Sequence, residues 1–114
     1  MILDTIAAIA TPFGAAGISV IRISGSEAIT KANTIFKGKN LTKMKSHTVT
    51  YGFITDKAGK TIDEVLVTIM KAPKTFTAED TVEIACHGGI LVAQKVLERI
   101  LETGIKLAQP GEFS

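Results

Sequence analysis

Apolar positions along the chain follow two rhythms. Residues 5–10 (TIAAIA) form a short apolar run, and residues 18–24 (ISVIRIS) form a β-branched one flanked by glycines. Both read as strands. They can pair as a hairpin across the Pro- and Gly-punctuated loop 11–17 (TPFGAAG). Ser24 stands three residues before Glu27, the spacing of a capping box. Ala28, Ile29, Ala32, Ile35 and Phe36 then recur at helical spacing, which predicts a first helix stopped at Gly38. Residues 37–46 carry Lys37, Lys39, Lys43 and Lys45 and read as a solvated loop, with a binding patch as the alternative.

The second half turns to alternation. Residues 47–55 (HTVTYGFIT) predict a strand, 56–60 (DKAGK) a turn, and 61–72 (TIDEVLVTIMKA) a second strand bounded by Pro73. A polar connection, 74–80, leads to a strand at 81–87 (TVEIACH). Gly88 and Gly89 then turn into a helix whose apolar face is Ile90, Ala93, Leu97, Ile100 and Leu101. Gly104 closes that helix, and 105–109 (IKLAQ) predicts a last strand. The order ββ-α-βββ-α-β points to an α+β fold, with both helices on one side of a mostly antiparallel sheet.

Composition narrows the classes. A chain of 114 residues fits one domain with a single core and needs no staples. The formal net charge of +2 favours no particular partner. Cys86 is the sole cysteine, so an internal disulfide and a cysteine-built zinc site are excluded, and a reducing cytoplasm is the expected compartment. No apolar run approaches the roughly 20 residues that span a bilayer. Neither helix combines a basic polar face with bulky apolar anchors, so no membrane partner is expected. Asp4 and the short apolar stretch running into Pro12 argue against a signal peptide. The C-terminal QPGEFS has no helix end or tail, which suggests a piece of a longer chain.

Two charges sit where the pattern is otherwise apolar. Arg22 interrupts Val20, Ile21 and Ile23, and Glu83 interrupts Val82 and Ile84. Alternation puts Thr81, Glu83, Ala85 and His87 on one face and Val82, Ile84 and Cys86 on the other. Arg22 and Glu83 can be a structural ion pair. Alternatively they form a polar ligand site, the carboxylate suiting two adjacent N–H donors such as a pterin or guanine edge, and the arginine suiting a carboxylate or carbonyl. His87-Gly88-Gly89 is either a tight turn or a helix N-terminus that receives an anion. His87 reads as a hydrogen-bonded structural histidine, and no nucleophile–base pair surrounds it or Cys86. The GKT at 59–61 lacks the P-loop glycine five residues earlier, where Ile54 stands, so it is a turn.

The segments DTIAAIATPFGAAGISVIRISG, IDEVLVTIMKAPKTFTAEDTVEIACHGG and PGEFS, in this order, resemble the N-terminal domain of the bacterial tRNA-modification GTPases of the MnmE/TrmE family. The resemblance covers nearly the whole chain and is poorest at 37–46. It implies that 1–114 is the folate-binding and dimerisation domain of a longer GTPase whose helical and G domains lie outside this sequence. The domain would be half of a tetrahydrofolate-binding fold of aminomethyltransferase type, completed by homodimerisation. The implied cofactor is 5-formyl- or 5,10-methylene-tetrahydrofolate, with GTP, Mg and K ions confined to the G domain. A flavoprotein is the implied partner in modifying carbon 5 of the wobble uridine of certain tRNAs.

The family's folate contacts fall on Arg22, in its G-I-x-[IV]-[IVL]-R-[IL]-S-G motif, and on Glu83, in E-D-[VT]-x-E. A third contact, a lysine, would lie beyond Ser114. Ala15 and Ala16 replace an Arg-Gly pair of the family loop, Ala78 replaces a glycine, and Ala85 stands where a histidine is common. By itself the chain is not expected to catalyse; the longer parent would hydrolyse GTP. A purely structural dimerisation module, with Arg22 and Glu83 paired internally, is the alternative. An RNA contact through the four lysines ranks below both, because no stacking aromatic accompanies them.

Overall fold

A computed structural model describes residues 4–10, 18–72 and 79–109. The expected loop at 11–17 with Ala15 and Ala16, the connection through Ala78, and the PGEFS end lie outside the described residues. Among the described residues the main elements are β1 (Ile6–Ile9), β2 (Ser19–Ser24), α1 (Ala28–Ile35), β3 (Phe36–Lys37), β4 (Thr48–Thr55), β5 (Thr61–Met70), β6 (Thr81–Cys86), α2 (Gly89–Leu101) and β7 (Lys106–Leu107). A 3-10 turn at Leu41–Lys43 lies between β3 and β4. The strands form one sheet in the order β3-β4-β5-β6-β2-β1-β7. All neighbours are antiparallel except β1 and β7, so the sheet is mixed and mostly antiparallel. The α+β expectation holds, with the two-residue β3 as an additional strand.

Alternation explains why one face is buried. Ile21 and Ile23 of β2, Val65, Val67 and Ile69 of β5, and Val82, Ile84 and Cys86 of β6 are all fully buried. They form one cluster with Ala28, Ile29, Ala32 and Ile35 of α1 and with Ala93, Val96 and Ile100 of α2. Both helices therefore cover the same face. Each fully buried Ile or Val contributes about 1.5–3 kcal/mol of transfer free energy. The opposite parity, including Val20, Arg22, Leu66, Thr68, Glu83 and Ala85, stays half-buried or exposed.

Four local expectations are corrected. Ser24 is not the N-cap of α1: it is a ladder residue of β2, opposite Thr81 on one side and Ile6 on the other. The turn comes one residue later, at Gly25 (φ +144°), where an added Cβ would lie 2.6 Å from the Thr5 Cα. Glu27 is the N-cap of α1, with no side-chain cap bond, and its N–H donates instead to Thr5 Oγ1 at 3.2 Å. Phe36 leaves the helix for β3 and pairs with Ile54, because cross-strand hydrogen bonds to β4 replace the helical ones.

The 37–46 stretch is no plain solvated loop, since Leu41 is fully buried and Met44 packs against the core. The buried stripe of α2 is Ala93, Val96 and Ile100, whereas Ile90 is exposed. The buried face thus includes Val96, with Val92 and Leu97 packed beside it, in place of Ile90. The turn at 56–60 is as expected, with Asp56 Oδ1 accepting from the N–H groups of Ala58 and Lys60.

Candidate functional site

Arg22 and Glu83 stand directly opposite each other in the β2–β6 ladder. Their row continues on both sides, to Ala8 of β1 and Thr68 of β5. Directly opposed residues point to the same side of a sheet, so this row lies on the face opposite α1 and α2. Neighbouring positions on that face are Val20 and Ala85, followed outward by Leu66 and Tyr51. The long charged pair thus has short side chains as its immediate neighbours, Ala8, Thr68, Val20 and Ala85. That resolves the oddity of an arginine inside a β-branched strand: Ile21 and Ile23 point to the core, and Arg22 points away from it.

The ion pair is tight. Arg22 Nε and Nη2 both lie 2.8 Å from Glu83 Oε2. Side-chain exposure is 31% for Arg22 and 28% for Glu83, so water still reaches both. Mutual pairing offsets the desolvation that half-burial imposes on each charge. Both donors converge on one carboxylate oxygen. Among the described residues Glu83 Oε1 takes no bond, and it remains an acceptor for a further donor. The structure therefore brings together the two charges singled out in the sequence, and it realises the internal pair geometrically.

A second cluster was missed at the sequence level. Asp63 of β5 is 9% exposed and shares the inward parity of Val65, Val67 and Ile69. Its Oδ2 accepts from the N–H of His87 at 2.8 Å and of Gly88 at 3.2 Å, at the entrance to α2. It serves as a long-range cap for a helix whose N-cap, Gly88, has no side chain. An acid in phase with inward valines was the readable signal. His87 Nδ1 lies 3.1 Å from the carbonyl of Glu64, so His87 is a hydrogen-bonded turn residue. Burial pushes the Cys86 thiol up to about 12, with the nearby Asp63 charge adding to it, so Cys86 is inert as a nucleophile. Tyr51 donates to Glu64 Oε2 at 2.7 Å, and that bond raises the phenol above its ordinary value. Among the described residues no cluster of His, Cys, Asp and Glu could hold a metal ion. No described helix is long and apolar enough to cross a membrane.

Residues 5–114 match the family described as GTP-binding protein TrmE N-terminus. The chain belongs to the TrmE N-terminal family. Similar curated proteins carry the name tRNA modification GTPase MnmE. The protein from Acholeplasma laidlawii (strain PG-8A) is 68% identical over 114 residues, covering 100% of this chain and 25% of the relative. That from Aster yellows witches'-broom phytoplasma (strain AYWB) is 60% identical with the same coverage. A Bacillus cytotoxicus relative is 55% identical over 115 aligned residues. The chain spans about a quarter of the length of these relatives. Membership in the TrmE N-terminal family thus agrees with the motifs around Arg22 and Glu83.

Proposed function

We propose that this chain is the folate-binding and dimerisation unit of a tRNA-modifying GTPase, with Arg22 and Glu83 as its ligand contacts. The observation that carries the reading is their direct cross-strand pairing on the sheet face opposite α1 and α2. The ion pair and a ligand site are compatible. Arg22 orients Glu83 and neutralises it through Oε2, and Oε1 is left to accept from the adjacent N–H groups of a pterin edge. The ladder neighbours of the pair, Ala8, Ala85 and Thr68, carry short side chains, which suits the approach of a flat heterocycle. The donor and acceptor set fits 5-formyl- or 5,10-methylene-tetrahydrofolate, which when bound supplies the one-carbon unit. A second copy of the chain would cover the same face. Val49, Tyr51 and Leu66 there are 57%, 55% and 40% exposed, an apolar area suited to homodimerisation.

The parent protein would act in the cytoplasm with a flavoprotein partner on the wobble uridine of tRNA. GTP, Mg and K ions would bind on a G domain outside this sequence. The purely structural module is the second reading, favoured by the short 2.8 Å contacts of the Arg22–Glu83 pair.

Calorimetric titration with 5-formyltetrahydrofolate separates the two, using the parent sequence, Arg22→Ala, Glu83→Gln and Glu83→Ala. Loss of a charge-assisted contact should weaken binding about 10- to 100-fold. Stability should fall by only about 1 kcal/mol, as expected for a half-exposed pair. Undiminished binding in folded variants, or unfolding of all three, would leave the structural module. A chain extended past Ser114 repeats the titration with the family's downstream lysine restored.

A further inference from the structure

Charge is distributed unevenly along this chain. From 28 to 55 there is no aspartate or glutamate, yet Lys31, Lys37, Lys39, Lys43 and Lys45 fall there. The other eight basic residues share the remaining sequence with all eleven acids. Lys31 has an acidic neighbour, with Glu27 at 3.6 Å. Lys37, Lys39, Lys43 and Lys45 are exposed, and among the described residues none of them forms an ion pair. They sit at the β3–β4 edge of the sheet.

The segment that carries them is tied down along its length. Leu41 is fully buried, and its N–H donates to Asn33 Oδ1 at 2.9 Å. Asn40 Oδ1 accepts from the Thr42 N–H at 3.0 Å, capping the 3-10 turn. Ser46 Oγ accepts from the Lys71 N–H at 2.8 Å, and the His47 N–H donates to the Ile69 carbonyl at 2.6 Å. The four lysines fall within one nine-residue stretch whose backbone is anchored, so little chain entropy is lost on engaging a partner. A single lysine suffices to discourage pairing at a sheet edge; four on an acid-free stretch exceed that need.

We infer that Lys37, Lys39, Lys43 and Lys45 form a contact surface for the phosphodiester backbone of tRNA. The inference rests on the proposed role of the domain within a tRNA-modifying protein, which is what makes RNA the committed polyanion. The stretch 37–46 has no aromatic residue for base stacking. The contact is therefore electrostatic and indifferent to base sequence, a positioning contact that leaves base recognition elsewhere.

Counterion release sets the size of the effect. Each phosphate neutralised contributes a slope of about −0.7 to −0.9 to log K against log salt. Four contacts contribute about −3 to −3.6, or about 50- to 150-fold weaker binding between about 50 and about 200 mM salt.

The test measures binding of an unmodified tRNA transcript to the full-length protein by fluorescence anisotropy across that salt range. The patch variant carries Lys37→Gln, Lys39→Gln, Lys43→Gln and Lys45→Gln. The control variant carries Lys57→Gln, Lys60→Gln, Lys95→Gln and Lys106→Gln, equal in charge and also exposed. The expected result is a patch variant at least about tenfold weaker at about 100 mM salt, its slope shallower by about 3, with the control close to wild type. Equal losses in both variants would reduce the effect to net charge and overturn the inference. So would wild-type affinity in the patch variant. Loss of binding to phosphatidylserine vesicles with unchanged tRNA binding would reassign the patch to a lipid surface. Unchanged folate binding by the patch variant checks its folding and separates the two claims. If the wild-type protein binds no tRNA at any salt, the underlying tRNA reading falls with the patch; if it binds and only the variants fail to differ, the patch alone falls.

Discussion

Asp63 is the residue whose removal should reveal most about how the fold holds its second helix. Its buried carboxylate accepts two backbone N–H groups, His87 at 2.8 Å and Gly88 at 3.2 Å, where no local side chain can cap α2. Asp63→Ala leaves both donors without their acceptor and removes a negative charge from the positive end of the helix. An orphaned donor costs about 1–3 kcal/mol when buried, and the charge–dipole contribution is about 0.3–1 kcal/mol. His87 and Gly88 are exposed, so water recovers part of the first cost. The net loss should be about 2 kcal/mol. For a domain of this size that lowers Tm by about 10 °C. Asp63→Asn keeps an oxygen acceptor and loses the charge, so it should cost about half as much. Urea denaturation gives the stability difference, and amide hydrogen exchange at His87 and Gly88 reports on the cap directly. A loss below about 0.5 kcal/mol for Asp63→Ala would show that water replaces the cap fully. An Asn variant as damaged as the Ala variant would show that charge, not hydrogen-bond geometry, does the holding.

Two further predictions test packing and titration. The Cys86 thiol, raised to about 12 by burial first and Asp63 second, should resist alkylation in the folded protein and react at the ordinary rate once unfolded. The unfolded thiol ionises at lower pH than the folded one, so this contribution is complete below about pH 9 and is lost as pH rises toward about 12; Cys86→Ala should flatten that alkaline decline in Tm. Gly52→Ala would place a Cβ 2.3 Å from Phe36 Cζ and 2.5 Å from the Lys37 carbonyl oxygen, and should cost about 1–3 kcal/mol or more by overpacking β3 against β4. Gly59→Ala meets nothing within 4 Å and carries only the strain of φ +84°, so a loss of about 1 kcal/mol is expected there. Equal losses at the two glycines in thermal melts would refute the steric account of Gly52.

Pattern alone determined much of this protein. Strands at β1, β2, β4, β5 and β6 follow from β-branched alternation, and the hairpin of β1 and β2 from the loop between them. The inward set Val82, Ile84 and Cys86 against outward Glu83 and Ala85 was legible because side-chain direction in a strand has a period of two. For the same reason Arg22 and Glu83 stood out as charges needing a partner. Their meeting was decided by tertiary structure, since the ladder register that sets Arg22 opposite Glu83 depends on strand order. Local signals failed where distant groups competed for the same backbone. Ser24 looked like a cap, but two neighbouring strands hold it. Phe36 looked helical, yet β4 draws it into an extended pair. Asp63 looked like one more polar strand residue until the fold brought His87 and Gly88 to its carboxylate from 24 and 25 positions away. Periodicity is local and survives in one dimension; hydrogen-bond partners across a sheet are chosen by the packing of the whole chain, and only three dimensions record that choice.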